Sequence, residues 1–120
     1  MLVVKKFGGS SVAARARIFN VARRCIEDYN KGNDVVVVLS AMGKTTDGLI
    51  AKAHEITESP SRRELDMLLA TGEQVSVALM AMAIQSLGVQ DISLNAAQVP
   101  MKTTSAYGQA KLHSIDTGRI

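Results

Sequence analysis

Five consecutive apolar residues, Val35-Val36-Val37-Val38-Leu39, constrain this chain more than any other segment. Four are β-branched, which suits a pleated sheet, and the lack of polar alternation predicts a strand covered on both faces, as in a parallel sheet. A shorter apolar stretch, Leu2-Val3-Val4, opens the chain. Between the two, Val12, Ile18, Phe19, Ala22, Cys25, Ile26 and Tyr29 recur at helical spacing, with Arg15, Arg17, Arg23, Arg24, Glu27 and Asp28 mostly opposite. An amphipathic helix over residues 11 to 30 is expected, capped by Ser10 or Ser11 and stopped by Gly32. Strand, helix and strand in this order form a right-handed βαβ unit, which brings both strand C-termini to one sheet edge.

Further along, Leu49, Ile50, Ala53 and Ile56 define a second helix over about Thr46 to Thr57, before Pro60. Ser61 and Glu64 have capping-box spacing and start a long helix whose expected buried stripe is Leu65, Leu68, Leu69, Ser76, Leu79, Ala83 and Leu87, ending near Gly88. Val89 to Leu94 alternates weakly, as a strand does. Asn95 to Gly108 reads as a loop or lid, and Asp116-Thr117 as the beginning of another helix.

At 120 residues, 47% of them hydrophobic, the chain is sized for one small domain or part of a larger one. Fourteen basic and eleven acidic residues give a net charge of +3, spread over helices that also carry acids. With only Phe7, Phe19, Tyr29 and Tyr107 as aromatics and no basic run interleaved with them, nucleic-acid binding is not expected. Cys25 is the single cysteine, which excludes a disulfide framework and a cysteine zinc site and suits the cytoplasm. Lys5 and Lys6 cut the first apolar run short, and no stretch is expected to span or anchor in a membrane. His54 and His113 lack partners at metal-ligand spacing, so no metal site is expected in the protein itself. No nucleophile elbow and no H-E-x-x-H pattern support hydrolase chemistry.

Three segments carry candidate chemistry. In Lys6-Phe7-Gly8-Gly9-Ser10-Ser11, a strand delivers a lysine and two glycines to a helix start, where backbone N–H groups can approach phosphate oxygens closely. An ordinary βα turn with a solvated lysine has the same residues. Ser40-Ala41-Met42-Gly43-Lys44-Thr45-Thr46 contains Gly-Lys-Thr, but a Walker A loop needs glycine five positions before Gly43, where Val38 stands. A strand-to-helix loop suited to a carboxylate or phosphate remains, beside a plain helix cap and turn. In Ala70-Thr71-Gly72-Glu73-Gln74, glycine inside a helical pattern costs roughly 1 kcal/mol against alanine, so close approach of backbone or ligand is expected there. Glu73 can meet a substrate ammonium or simply be solvated.

Together, Lys6-Phe7-Gly8-Gly9-Ser10-Ser11-Val12, Val35 through Gly43, and Leu68-Leu69-Ala70-Thr71-Gly72-Glu73-Gln74 resemble the N-terminal part of the aspartate kinases, and the resemblance covers essentially the whole chain. It implies a three-layer α/β/α sandwich of the amino-acid kinase type with a mostly parallel sheet. It implies transfer of the ATP γ-phosphoryl group to the side-chain carboxylate of L-aspartate, the opening step toward lysine, threonine and methionine, with Mg2+ brought by the nucleotide. By the same resemblance, Lys6 is catalytic. Lys6, Phe7, Gly8, Gly9, Ser10 and Ser40 bind ATP and its phosphates, and Ser40, Thr45, Thr46 and Glu73 bind aspartate. Aspartate kinases continue with glycine-rich and Thr-Asp-Val-Asp-Gly-type nucleotide segments and ACT regulatory domains. Residues 1–120 are therefore expected to be the N-terminal portion of a kinase domain, incomplete in its sheet, exposing apolar surface and inactive alone. The full-length protein is expected to be a homo-oligomer. A noncatalytic truncated module that pairs with full-length subunits is the alternative.

Overall fold

The computed structural model describes residues 1–120. Leu2–Phe7 forms β1 and Asp34–Leu39 forms β2, paired in parallel from Leu2 opposite Asp34 to Phe7 opposite Leu39. Arg15–Asn30 forms α1, the crossover helix between them. Val3, Lys5 and Phe7 share one sheet face with Val35, Val37 and Leu39, and this face packs on α1. The long helix α3, Arg62–Ser86, completes that core with Met80, Ala83 and Ile84 against Ile18, Val21, Ala22 and Cys25 of α1. Helix α2, Thr45–Ile56, lies against α3.

The α/β class and parallel pairing are as expected, with the sheet incomplete. Helices cover one face only, so β2 is not buried on both sides: Val38 is 44% exposed, beside Leu2 and Val4 on the open face. That face is the exposed apolar surface expected from sequence.

Several local expectations are corrected. Residues Gly9–Val12 form a 3-10 turn, closed by the Ser11 N–H donating to Gly8 O at 3.0 Å, which drives Val12 fully into the core. α1 therefore starts at Arg15 after Ala14, and neither Ser10 nor Ser11 caps it. Gly32, at φ +86°, follows the helix end as expected. Ser61 Oγ accepts from the Glu64 N–H, so the predicted cap of α3 forms. The buried side of α3 runs through Gly72, Ser76, Met80 and Ile84, whereas Leu79 and Leu87 are exposed. Its length and apolarity reach those of a membrane span, contrary to the sequence expectation, but its packed side is that of a core helix.

After Gly88, the segment 89–94 has no strand beside it and forms no ladder. Gln85 instead donates to the Asp91 carboxylate at 2.9 Å, and burial pushes the Asp91 carboxyl up, with the Gln85 bond opposing. The expected loop holds a turn in which Asn95 Oδ1 accepts from the Ala97 and Gln98 N–H groups, then β3, Met101–Thr103, paired antiparallel with β4, Leu112–Ile115. The hairpin is tied to α3 by the Gly108 N–H donating to Asp66 at 2.7 Å. Residues 116–120 make a turn, not a helix start, with Gly118 N–H on Asp116 Oδ1 at 2.9 Å.

One charge pair locks the βαβ unit. Lys5, on the covered sheet face, ion-pairs with Asp28 near the end of α1 and donates to the Arg24 carbonyl at 3.1 Å, and Lys31 adds a second cation to Asp28. Hydrogen bonds from Lys5 and Lys31 hold the Asp28 carboxyl below the ordinary carboxylate range, while burial pushes the neighbouring Cys25 thiol up. A depressed carboxylate stabilises the fold above its unfolded pKa and loses that contribution as pH falls through the folded value. Asp28→Asn is expected to lower the thermal midpoint at about pH 7, and the gap from wild type should close below about pH 4. A gap that persists undiminished into strong acid contradicts the ion-pair account.

Candidate active site

The C-terminal ends of β1 and β2 place the first two motif segments side by side. Gly8 is extended, φ −76° and ψ 170°, and the chain then tightens into the 3-10 turn. None of the turn, loop or cap hydrogen bonds is donated by the N–H groups of Gly8, Gly9 or Ser10, which leaves three successive donors at a glycine-rich helix start. The Ser10 carbonyl is held from the other side by Arg17 Nη1 at 2.6 Å. Strand alternation turns Lys6 away from α1, onto the face shared with Val38, where it is exposed and makes no hydrogen bond or ion pair. Phe7 points the opposite way and packs against the core.

The second loop is pinned to the first. Ser40 N–H donates to Phe7 O at 3.2 Å and Gly43 N–H to Gly9 O at 2.9 Å, with Gly43 at φ +52°. A β-carbon added at Gly9 would lie 2.5 Å from the Ala41 carbonyl oxygen, so no other residue fits that approach without backbone movement. Lys44 precedes α2, whose first turn carries Thr45, Thr46 and Asp47. Thr45 Oγ1 donates to Met42 O at 2.6 Å, which leaves its oxygen as an acceptor toward a ligand. The Ser40 and Thr46 hydroxyls are uncommitted and half-buried.

The third segment meets the second from α3. A β-carbon at Gly72 would lie 2.9 Å from Ala41 Cβ and 3.7 Å from Thr45 Cγ2, which explains the glycine inside this helix: the close approach expected there is made by Ala41. Ser76, one turn on, is buried and donates to the Gly72 carbonyl at 3.4 Å. Glu73 is exposed beside this contact, without a hydrogen-bond or ion-pair partner.

Thus the segments of Gly8–Ser10, Ser40–Thr46 and Gly72–Glu73 converge around Ala41, with Lys6 on the strand that leads into them. Ala41 and Arg17 are the participants missed from sequence. A lone alanine between Ser40 and Met42 carries no signal, and Arg17 sits on the polar side of α1 like any solvated arginine. No group of three His, Cys, Asp or Glu side chains is assembled to hold a metal ion. Away from this region, the Arg63–Glu64 ion pair on α3 raises the Arg63 pKa.

Comparison with known proteins places the chain in a family and supports the α/β fold. The description of the amino acid kinase family matches residues 1–119. An aspartokinase from Geobacillus stearothermophilus is 53% identical over 119 residues, 99% of this chain and 29% of that protein. Aspartokinase 2 of Bacillus subtilis is 48% identical over 116 residues, 97% of this chain and 28% of its own length. A crystal structure of aspartate kinase from Synechocystis superposes with a TM-score of 0.79 at 52% identity, over 82% of this chain and 17% of that one. The chain belongs to the amino acid kinase family. It spans under a third of the length of the aspartokinases it matches.

The two glycines of the first turn are expected to differ sharply. Gly9→Ala meets fixed backbone and should cost about 1–3 kcal/mol in denaturant unfolding, whereas Gly8→Ala meets nothing within 4 Å and should be close to neutral. Equal losses at both positions contradict the described packing of Gly9 on Ala41.

Proposed function

We propose that this chain forms the phosphoryl-side and aspartate-side portion of an aspartate kinase domain, which transfers the ATP γ-phosphoryl group to the side-chain carboxylate of L-aspartate to give 4-phospho-L-aspartate. The observation that carries the reading is the set of three unbonded N–H donors, on Gly8, Gly9 and Ser10, in a turn pinned to the Ser40–Thr46 loop against which Gly72 packs, with Lys6 and Glu73 unpaired on the adjoining strand and helix. The aspartokinase relatives direct the choice of substrate among acidic acceptors.

In this reading Lys6 and the N–H groups of Gly8, Gly9 and Ser10 face the transferring phosphoryl oxygens, where charge accumulates during transfer. The acceptor carboxylate is ionised at neutral pH and needs no general base, so positioning is the remaining task. Ser40 and Thr46, with free hydroxyl hydrogens, donate to the substrate carboxylates. Glu73 accepts from the substrate ammonium, as does the Thr45 oxygen, whose hydrogen is committed to Met42. Magnesium brought by the nucleotide would supply charge neutralisation at its phosphates. A cytoplasmic setting and a homo-oligomeric full-length enzyme belong to the same proposal.

The test joins residues 1–120 to the remaining C-terminal part of the Geobacillus stearothermophilus relative and measures aspartate-dependent ATP turnover. Lys6→Ala is expected to lower kcat about a hundredfold or more. Glu73→Gln should raise KM for aspartate about tenfold with a smaller effect on kcat. A folded chimera that turns over ATP with Lys6→Ala unimpaired contradicts the role of Lys6. Unchanged aspartate KM in Glu73→Gln contradicts the role of Glu73, and a folded chimera without aspartate-dependent turnover points to a different acidic acceptor.

A further inference from the structure

A polar cleft of about 240 Å3 opens between the glycine turn and the outer face of α1. Arg17, Asn20 and Arg24 line it from the helix and the Ser10–Ser11 segment from the turn, over a small apolar floor of Phe7 and Val21. The spacing i, i+3, i+7 puts the three helix residues on one stripe, so their donors converge on the same space. We propose that this cleft binds a phosphate-class dianion, a phosphomonoester or diphosphate, between the guanidinium groups of Arg17 and Arg24.

The charge pattern of α1 supports the assignment. The helix carries Arg15, Arg17, Arg23 and Arg24, and no carboxylate lies within 4.0 Å of any of them. Two have another partner: Arg15 and Arg23 sit over the Phe19 ring at 5.7 and 5.8 Å. The two that face the cleft have none beyond the bond from Arg17 to Ser10 O. The first turn of α1 has no acidic residue and its N-cap no side-chain bond; the helix acids Glu27 and Asp28 lie beyond Arg24, away from the turn, and Asp28 is already paired with Lys5 and Lys31. Two planar forks, an amide and two hydroxyls supply more donors than the two oxygens of a carboxylate accept, and they suit the terminal oxygens of a phosphate.

This cleft is separate from the phosphoryl site proposed above. Phe7 and Val21 place it on the helix-covered side of the sheet, whereas Lys6 projects from the open side. The two communicate through one atom, because Arg17 holds the Ser10 carbonyl while lining the cleft. An anion drawn onto Arg17 therefore bears directly on the turn that presents the Gly8 to Ser10 donors.

The test titrates inorganic phosphate and pyrophosphate into the 15N-labelled chain, with sodium chloride at matched ionic strength as control. Saturable amide shifts centred on Ser11, Asn20 and Arg24 are expected. Arg24→Gln and Arg17→Gln should each weaken binding about tenfold or more, Arg24→Lys should weaken it less, and Lys6→Ala should leave it unchanged. If Arg17→Gln loses its dispersed spectrum, Arg24→Gln carries the test, since the Arg24 side chain makes no bond in the free protein. Shifts reproduced by chloride, no saturable shifts, or binding lost in Lys6→Ala but retained in Arg24→Gln would each overturn the proposal. The last of these outcomes assigns the anion to the Lys6 site and leaves the kinase reading intact.

Discussion

Ala41 is gripped between two glycines that are distant in sequence, Gly9 in the first turn and Gly72 in the middle of α3. Both approaches are too close for a β-carbon, and both bear on one short loop at the end of β2. The remainder of the site follows from that grip. With Gly9 O accepting from the Gly43 N–H, the two βα loops become a single unit, and with Gly72 against Ala41, Glu73 is held beside the N-terminus of α2. A glycine inside a helix is a local cost of roughly 1 kcal/mol, and here it permits the long-range packing that joins α3 to the sheet edge.

The charges divide along the same lines. Lys5 and Asp28 face each other on the covered side and tie β1 to the far end of α1, a structural pair. One residue on, Lys6 emerges on the open side without a partner, and Glu73 on α3 is likewise exposed and unpaired. Leaving opposite charges unpaired near a set of unbonded N–H groups confers little stability, and under the proposed function it leaves them free for the phosphate of one substrate and the ammonium of the other. Strand alternation alone separates the two lysines, so a single-residue register slip of β1 would exchange their roles.

Much of this was legible in the residues. The valine run, the glycine turn and the apolar spacing of α1 specify a parallel βαβ unit, and Ser61 with Glu64 marks the start of α3. What sequence could not convey was partnership. The Val35–Leu39 run is apolar enough for burial on both faces, but only one face is covered among these residues. The alternation in 89–94 meets no neighbouring strand, so strand propensity has no ladder to realise it. The buried stripe of α3 shifts from Leu79 to Met80 because packing on α1, not hydrophobicity alone, selects the face. At the site, the motif residues were visible as motifs, whereas the Ala41 contact joining them depends on three-dimensional closeness across segments.

The most direct test of this account is native-state hydrogen exchange at the Gly43 N–H, the donor to Gly9 O. If the grip on Ala41 organises the site, Gly43 should be protected to about the level of the β2 amides, and Gly72→Ala should strip that protection selectively while β1 and β2 remain protected. A Gly43 amide that exchanges like an open loop in the wild type, or one whose protection is untouched by Gly72→Ala, would contradict the claim that the three segments form one unit.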